Sequence, residues 1–254
     1  MKPFARALVL VLSFASIAAA AFGVYCAVHS PLFLVKVVEV SGTESAGLDA
    51  PLAQAVTDLA AVPVGKASLF DLDLGQIESR VLTNPWIRSV RVKKSFPQTL
   101  AIEVDLKTPQ AIFQGASGGL SYVDSDGKPF GKVNLANLRD LPLLTGFDRE
   151  PHTRVVQALK LLDDWDKSKA SQSARLTSLS WEPERGFRGL VTYGLKTGRA
   201  RAMVDFGQEV DADPIPQLKR LSDVLHYLSE NSIPARQIWA DSGKKIVVKT
   251  AHGS

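Results

Sequence analysis

The longest uninterrupted apolar stretch of the chain lies near its start and predicts a membrane-spanning helix. Residues 7–28 are 22 residues without a charge. As a helix they would measure about 33 Å, enough to cross a hydrocarbon core. Lys2 and Arg6 precede the stretch, and the next Lys or Arg is Lys36. This charge asymmetry predicts that residues 1–6 form a cytoplasmic tail and that the rest of the chain is exported.

A cleaved signal peptide is the alternative interpretation of this stretch. Ala18, Ala19 and Ala20 supply the small residues of a cleavage site. The apolar region of a signal peptide usually ends after about 7–15 residues, whereas here it continues through Phe22 and Tyr25. The length favours a retained anchor, and both interpretations place the bulk of the chain outside the cytoplasm.

Residues 33–106 alternate between strand-like and helix-like patterns. The predicted elements are a strand at 33–40, helices at 52–62 and about 73–82, and strands at 87–94 and 99–106. Asp73 is expected to cap the second helix, and Leu69 and Phe70 before it are expected to fill a core. The last two strands are close enough along the chain to form a hairpin. This order predicts one helical layer on a three-stranded sheet.

Residues 107–254 predict a second domain of strands with two amphipathic helices. The helices are expected at 153–165 and 214–229, and strands at 176–181, 189–193, 200–206, 236–240 and 244–250. With strands and helices in both parts, the fold class of the exported region is α+β.

Composition and motifs argue against most kinds of chemistry. The net charge is only +4, with the basic residues spread along the chain, which is not the pattern of a nucleic-acid protein. The single cysteine, Cys26, leaves no disulfide and no Cys-based metal site in the exported part. The four histidines lack zinc-ligand spacing, and neither G-x-S-x-G nor a phosphate loop occurs. We therefore expect no cofactor, no small-molecule substrate and no catalysis, although a site assembled only by the fold stays open.

The last apolar segment of the chain is the strongest candidate for protein binding. Residues 246–248 are β-prone and are expected at a sheet edge, where unpaired N–H and C=O groups can receive a partner strand. Lys244, Lys245 and Lys249 flank them. These lysines either only protect the edge from aggregation or also meet an acidic partner. Trp239 is either a buried packing residue or an exposed binding anchor.

Several short motifs, in order behind one apolar stretch, resemble the FtsQ/DivIB family of bacterial cell-division proteins. The motifs that resemble its POTRA domain are G-x-A-S-L-F at 65–70, N-P-W at 84–86 and F-P-x-T-L-x-I-x-V at 96–104. L-P-x-L-x-G at 141–146 continues the match. The resemblance implies a transmembrane helix at 7–28, a POTRA domain (β-α-α-β-β) at 33–106 and a mostly antiparallel β domain with helices at 107–254.

The resemblance also implies a function. The chain would be a non-enzymatic scaffold of the divisome, a single-pass inner-membrane protein with its bulk in the periplasm at the division septum. It would capture FtsB and FtsL by strand addition and would help to recruit and regulate the septal peptidoglycan synthase FtsW–FtsI. The implied FtsB-binding residues are Tyr227, Arg236, Trp239, Lys244, Ile246, Val247, Val248 and Lys249. The implied recruitment edge of the POTRA domain carries Arg88, Arg91 and Lys93.

Two other function classes remain open from sequence. One is a POTRA-bearing factor of protein export or outer-membrane assembly, although such chains usually carry several POTRA copies or a series of membrane strands. The other is an anchored periplasmic hydrolase whose site has no sequence signature.

Overall fold

The fold comes from a computed structural model that describes residues 13–23, 25–26, 30–43, 49–134, 140–208, 215–241 and 245–251. The chain divides into two compact units, the first ending at Lys107 and the second beginning at Thr108. Both units combine helices with a sheet, which confirms the α+β class.

The first unit has the predicted order of elements. They are β1 (Val37–Ser41), α1 (Asp49–Ala60), α2 (Leu74–Val81), β2 (Ile87–Ser95) and β3 (Thr99–Leu106). The described strands form one sheet in the order β1-β3-β2, with β1 parallel and β2 antiparallel to β3. Alternate residues of β3 from Leu100 to Leu106 are buried against the helices. Asp73 caps α2 as predicted, because its carboxylate accepts a hydrogen bond from the Gln76 N–H at 3.1 Å.

The start of this unit differs from the prediction. Instead of a strand from residue 33, a short 3₁₀ helix covers Pro31–Phe33 and β1 begins only at Val37. The intervening backbone pairs with the connector before α2: Val35 N–H donates to Ala67 and Leu69 N–H donates to Phe33. They accompany an isolated antiparallel β-bridge between Leu34 and Ser68, so this stretch satisfies its backbone groups with the connector instead of with the sheet. Leu69 is buried as expected, but Phe70 is 42% exposed, so the prediction that it fills the core is wrong.

In the second unit, the described residues form a single sheet of nine strands. Its order is β12-β11-β10-β9-β8-β7-β4-β5-β6, and most pairings are antiparallel. The strands are β4 (Ala111–Gln114), β5 (Leu120–Val123), β6 (Pro129–Lys132), β7 (Leu143–Thr145), β8 (Ala174–Glu182), β9 (Gly186–Leu195), β10 (Gly198–Gly207), β11 (Ala235–Trp239) and β12 (Val247–Thr250). The pairing of β10 with β11 is parallel, since α5 lies between them in the chain and returns it to the same end of the sheet.

Three helices accompany this sheet in the described part of the unit: α3 (His152–Lys167), α4 (Ala170–Ser173) and α5 (Ile215–Glu230). The predicted apolar stripe of α5 is buried at Leu218, Leu221, Leu225 and Leu228, in one core with the inward side chains of β8–β10. Trp165 of α3 meets Phe206 of β10 edge to face at 6.4 Å between ring centroids. Alternation along β8–β10 places mostly polar side chains, such as Arg188, Thr192 and Arg201, on the face away from this core, which we call the polar face.

The predicted anchor and tail lie only partly within the described residues. Residues 1–6 fall outside them, as do 7–12, 24 and 27–28 of the apolar stretch. Residues 13–23 are helical, and their large side chains such as Phe14 and Ile17 are exposed. Among the residues that the structure describes, no helix is both long enough and apolar enough to span a membrane.

Substitution of two glycines of the first unit distinguishes the cost of backbone strain from the cost of a steric clash. Both have positive φ, +87° at Gly42 and +77° at Gly65. A Cβ on Gly42 would lie 2.0 Å from the Val104 carbonyl oxygen, whereas a Cβ on Gly65 would meet nothing within 4 Å. We expect Gly65→Ala to lower the free energy of unfolding by about 1 kcal/mol through φ strain alone. Gly42→Ala should cost about 3 kcal/mol or more, because β3 must also move.

Amide hydrogen exchange of β3 peptides, measured along a urea series, checks this difference in the first unit. Equal losses for the two variants would contradict the close approach of Gly42 to β3.

Candidate protein-docking edges

Among the described strands, β12 ends the large sheet and pairs only with β11. Residues 246–248, at the start of this strand, therefore lie at a sheet edge, as the sequence predicted. Ala251 N–H donates to Pro234, and N–H directions alternate along a strand. The N–H groups of Val247 and Lys249 consequently point toward β11, while those of Val248 and Thr250 point to the open side. This geometry offers an incoming strand two donors.

The side chains of this edge divide between its two faces. Val248 and Ile246 are half-buried and pack against the core, whereas Val247 is 49% exposed and Lys249 is exposed. The predicted strand from residue 244 is too long, because β12 begins only at Val247; Ile246 precedes it and packs against the core. Lys244 lies outside the described residues.

Trp239 is half-buried, between the two alternatives that the sequence left open. It pairs with Val247 on one side and with Asp205 on the other, so the three share the polar face of the sheet. Trp239 lines a cleft of about 430 Å³ with mostly polar neighbours. The cleft residues are Glu184, Arg185, Asp205, Gly207, Gln208, Gln237, Trp239 and Asp241.

The other two implied contacts are exposed side chains of adjoining elements. Arg236 is exposed at an irregularity of β11, where the register with β12 shifts between Ala235 and Gln237. Tyr227 is 59% exposed on α5, away from the stripe that packs on the sheet.

The hydroxyl of a buried tyrosine holds the start of β11 in place by two hydrogen bonds. The Tyr193 hydroxyl, on β9, donates to the Ile233 carbonyl at 2.9 Å and accepts from the Ala235 N–H at 2.7 Å. Tyr193 is 1% exposed. Burial raises the pKa of Tyr193 above its ordinary value of 10.0, and the bond from Ala235 opposes this rise. The neutral hydroxyl is therefore the form that the fold stabilises.

An ionic network holds the middle of β11 from the polar face. Asp205, 5% exposed, accepts from Arg188 Nε at 2.7 Å and from Gln237 Nε2 at 2.5 Å. Arg188 also reaches Glu182 at 2.5 Å. Burial alone would lower the pKa of Arg188, but its hydrogen bonds to Asp205 and Glu182 outweigh burial and raise it. On the helix side, Gln217 Nε2 donates to Ala240 at 2.8 Å.

The recruitment residues lie on β2, an edge strand of the small sheet. Lys93 Nζ lies 2.8 Å and Arg91 Nη1 3.7 Å from the Glu103 carboxylate on β3. The hydrogen bond from Lys93, together with both positive charges, lowers the pKa of Glu103 below its ordinary value of 4.5. Arg88 is exposed near the start of β2.

One backbone donor of this edge is already occupied. Glu78 of α2 accepts from the Val92 N–H at 3.0 Å. A strand that added to β2 would have to displace this carboxylate, so β2 is a more restricted edge than β12.

The candidate binding residues lie on or beside exposed strand edges. In the parts of the chain that the structure describes, no three His, Cys, Asp or Glu side chains gather closely enough to hold a metal ion. The arrangement consists of a buried scaffold that carries exposed strand edges.

Comparison with known proteins identifies the family. A family model described as "POTRA domain, FtsQ-type" matches residues 33–105, and one described as "Cell division protein FtsQ/DivIB, C-terminal" matches residues 111–238. The chain belongs to the FtsQ/DivIB family. The second match ends before β12, so the strand edge itself lies beyond it.

Named relatives extend the family match over most of the chain. "Cell division protein FtsQ" of Myxococcus fulvus is 30% identical over 224 residues, covering 84% of this chain and 71% of the relative. The proteins of the same name from Geobacter sp. (strain M21) and Syntrophotalea carbinolica are 32% and 27% identical, over 72% and 70% of this chain. The chain spans 65% of the length of each of these two FtsQ relatives.

The sequence analysis missed the residues that hold β11. Tyr193, Arg188, Asp205 and Gln237 were assigned only as strand positions or not at all. The sequence carried a signal for a buried ion pair between two of them, since Arg188 and Asp205 are opposite charges in strand-forming segments. Their partners were not predictable, because the bonds of Tyr193 join residues 40 and 42 positions apart.

Removal of the Tyr193 hydroxyl tests whether its hydrogen bonds hold the start of β11. Tyr193→Phe leaves the buried Ala235 N–H and the Ile233 carbonyl without their partner, which should cost about 1–3 kcal/mol of unfolding free energy. Hydrogen exchange of the 235–251 peptides should accelerate more than that of β8. Tyr227→Phe, at an exposed position, is the matched control and should change stability by less than about 0.5 kcal/mol.

The same variant has a defined pH dependence. Because the pKa of Tyr193 is raised in the folded state, the unfolded chain ionises first, near pH 10. The stabilisation by the hydroxyl is fully present below that pH and is lost as the pH rises through the folded-state pKa. The stability difference between the native chain and Tyr193→Phe should therefore shrink above pH 10 in urea unfolding. A difference that grows there would contradict the assignment.

Proposed function

We propose that this protein is a membrane-anchored, non-enzymatic scaffold of the divisome that captures the FtsB–FtsL pair at β12. Its membership of a cell-division family supports the cellular role and favours it over the export-factor and hydrolase alternatives. The observation that carries the docking proposal is the open side of β12, with the Val248 and Thr250 N–H groups directed outward.

Strand addition explains how this edge would bind and select its partner. Backbone hydrogen bonds to the edge would supply affinity, and the side chains beside it would supply selectivity. Val247 and Trp239 form an apolar pair across β11 and β12, and Lys249 provides a positive charge on the same face. An incoming segment with an apolar residue opposite Val247 and an acidic residue near Lys249 would fit this surface.

The anchor would make modest affinity sufficient. A scaffold and partners held in one membrane meet at a high effective concentration, so each contact needs less intrinsic binding energy. In this proposal residues 7–28 cross the inner membrane once, and both units lie in the periplasm at the septum. The scaffold would then help to recruit and regulate the FtsW–FtsI synthase.

The other edge would serve recruitment through side chains. Since Glu78 occupies the Val92 N–H, we assign the recruitment role to the exposed basic residues Arg88, Arg91 and Lys93 rather than to strand addition at β2. Depletion of the protein should block septation and produce filaments, and normal division without it would contradict the proposed role.

A proline at Val248 tests strand addition. Val248→Pro removes an outward N–H while the donors of Val247 and Lys249 to β11 remain. We expect loss of FtsB–FtsL when the full-length chain is extracted from membranes and co-purified with its partners. Val248→Ala is the matched control, because it shortens the same side chain but keeps the N–H, and it should retain most of the capture.

Hydrogen exchange at Val247 and Lys249 verifies that β12 stays paired in the proline variant. Undiminished FtsB–FtsL capture by a proline variant with β12 intact would contradict docking at this edge.

Neutralising the basic residues of β2 tests recruitment. Arg91→Gln with Lys93→Gln should reduce midcell localisation of a fluorescent fusion by several-fold, because the positive surface is lost. Glu103→Gln is the control: it removes their acidic partner but keeps both positive charges, and localisation should persist. Unchanged midcell signal in the double variant would exclude this surface from recruitment.

A further inference from the structure

Three phenylalanines form an exposed cluster at one end of the first unit. Phe33, Phe70 and Phe96 have ring centroids 5.0–6.1 Å apart. Phe70 is 42% and Phe96 54% exposed, and Leu32 beside them is 64% exposed. Leaving this much apolar surface in water is unfavourable, so a contiguous patch of this kind usually marks a contact with another apolar phase.

The cluster lies where the chain enters the unit. Phe33 is held by the Leu69 N–H, and the Lys36 N–H donates to Gln98 in the β2–β3 turn, which joins the three segments at one end. Leu32 lies only six positions after Cys26 of the apolar stretch, a reach of at most about 20 Å. The chain leaves the unit after Leu106, at the opposite end of β3, about 23 Å away along the strand.

Charges around the phenylalanine cluster suit anionic headgroups. Lys36 and Lys66 are exposed on the segments that carry it. Lys94 Nζ donates to the Phe70 carbonyl at 3.3 Å. Asp71 and Asp73, shortly after Phe70, are exposed acidic residues, so lysines outnumber carboxylates by three to two around the cluster. Basic residues beside exposed apolar ones are the pattern of surfaces that bind anionic lipid.

From these observations we infer that the phenylalanine cluster inserts into the non-cytoplasmic surface of the membrane that holds the anchor. This inference rests on the proposed anchor at residues 7–28. The rings occupy the boundary between headgroups and acyl chains, and the lysines contact anionic headgroups. The first unit is thereby fixed at the membrane surface by a second attachment, with β3 leading the chain away from the lipid.

Two serines of β2 provide matched probe positions. Ser95 and Ser89 are both exposed, on one face of one strand, about 20 Å apart. Ser95 pairs with Thr99 next to the cluster, and Ser89 pairs with Asp105 at the far end of β3. In full-length chains carrying Cys26→Ser, each serine is replaced by cysteine, spin-labelled and reconstituted into phosphatidylcholine–phosphatidylglycerol vesicles. Relaxation by oxygen and by a water-soluble nickel chelate then reports immersion.

We expect the label at position 95 to show lipid-interface accessibility and the label at 89 to show aqueous accessibility. Phe70→Ser with Phe96→Ser should shift the 95 label to the values of the 89 label. Leu82→Ser is the control, because it removes a side chain that is similarly exposed, at 47%. Leu82 comes shortly before Trp86, whose carbonyl accepts from the Lys107 N–H at the end of the first unit away from the phenylalanine cluster. This control should leave the 95 label unchanged.

A second probe separates the inference from the anchor on which it rests. The native Cys26, spin-labelled in the unchanged chain, should report lipid burial. Lipid burial at Cys26 with equal aqueous values at 95 and 89 would overturn the inference and leave the anchor standing. Aqueous values at Cys26 would overturn both. In vesicles of phosphatidylcholine alone, immersion at position 95 should decrease, and unchanged immersion would overturn the headgroup contact of the lysines.

Discussion

The attachment of β11 to the rest of the sheet is the constraint on which the docking edge depends. Its parallel pairing with β10 covers only Met203–Asp205 against Gln237–Trp239, and β12 is joined to the sheet only through β11 among the described strands. Hydrogen bonds from side chains add to the few backbone bonds of this short ladder. Tyr193 holds the start of β11 from within the core, Asp205 holds its middle through Gln237, and Gln217 bonds the next residue, Ala240, from the helix side. These bonds fix the position of β11 and, through it, of the edge strand β12.

The edge strands of the two sheets differ in how accessible their backbone groups are to a partner strand. This difference is consistent with binding at one of them. The far end of the large sheet, β6, includes Pro129, which has no N–H to donate, and Gly131, and both residue types discourage strand pairing. On the small sheet, Glu78 occupies a donor of β2. At β12, lysines flank an open backbone. A charged but unblocked edge resists indiscriminate aggregation and still admits a partner that carries complementary charge.

The buried ion pair behind Trp239 illustrates how the polar face of this sheet is organised. Arg188 and Asp205 face each other across β9 and β10, and a buried charge is tolerated only when such a partner is present. Gln237 extends the pair to β11. A network of this kind contributes less to net stability than to a unique register, and register determines which side chains flank the open edge.

Sequence alone determined the order of the elements in the first unit, the cap at Asp73, the stripe of α5 and the location of a terminal apolar strand. Each of these follows from periodicity or from contacts within one turn, which local composition encodes. Tertiary structure decided that Phe70 lies exposed beside Phe33 and Phe96, that Ile246 turns inward, and that Tyr193 reaches Ala235. These outcomes depend on packing and hydrogen bonds between residues far apart in the chain, and a local pattern carries no information about which distant backbone group will be there to meet them.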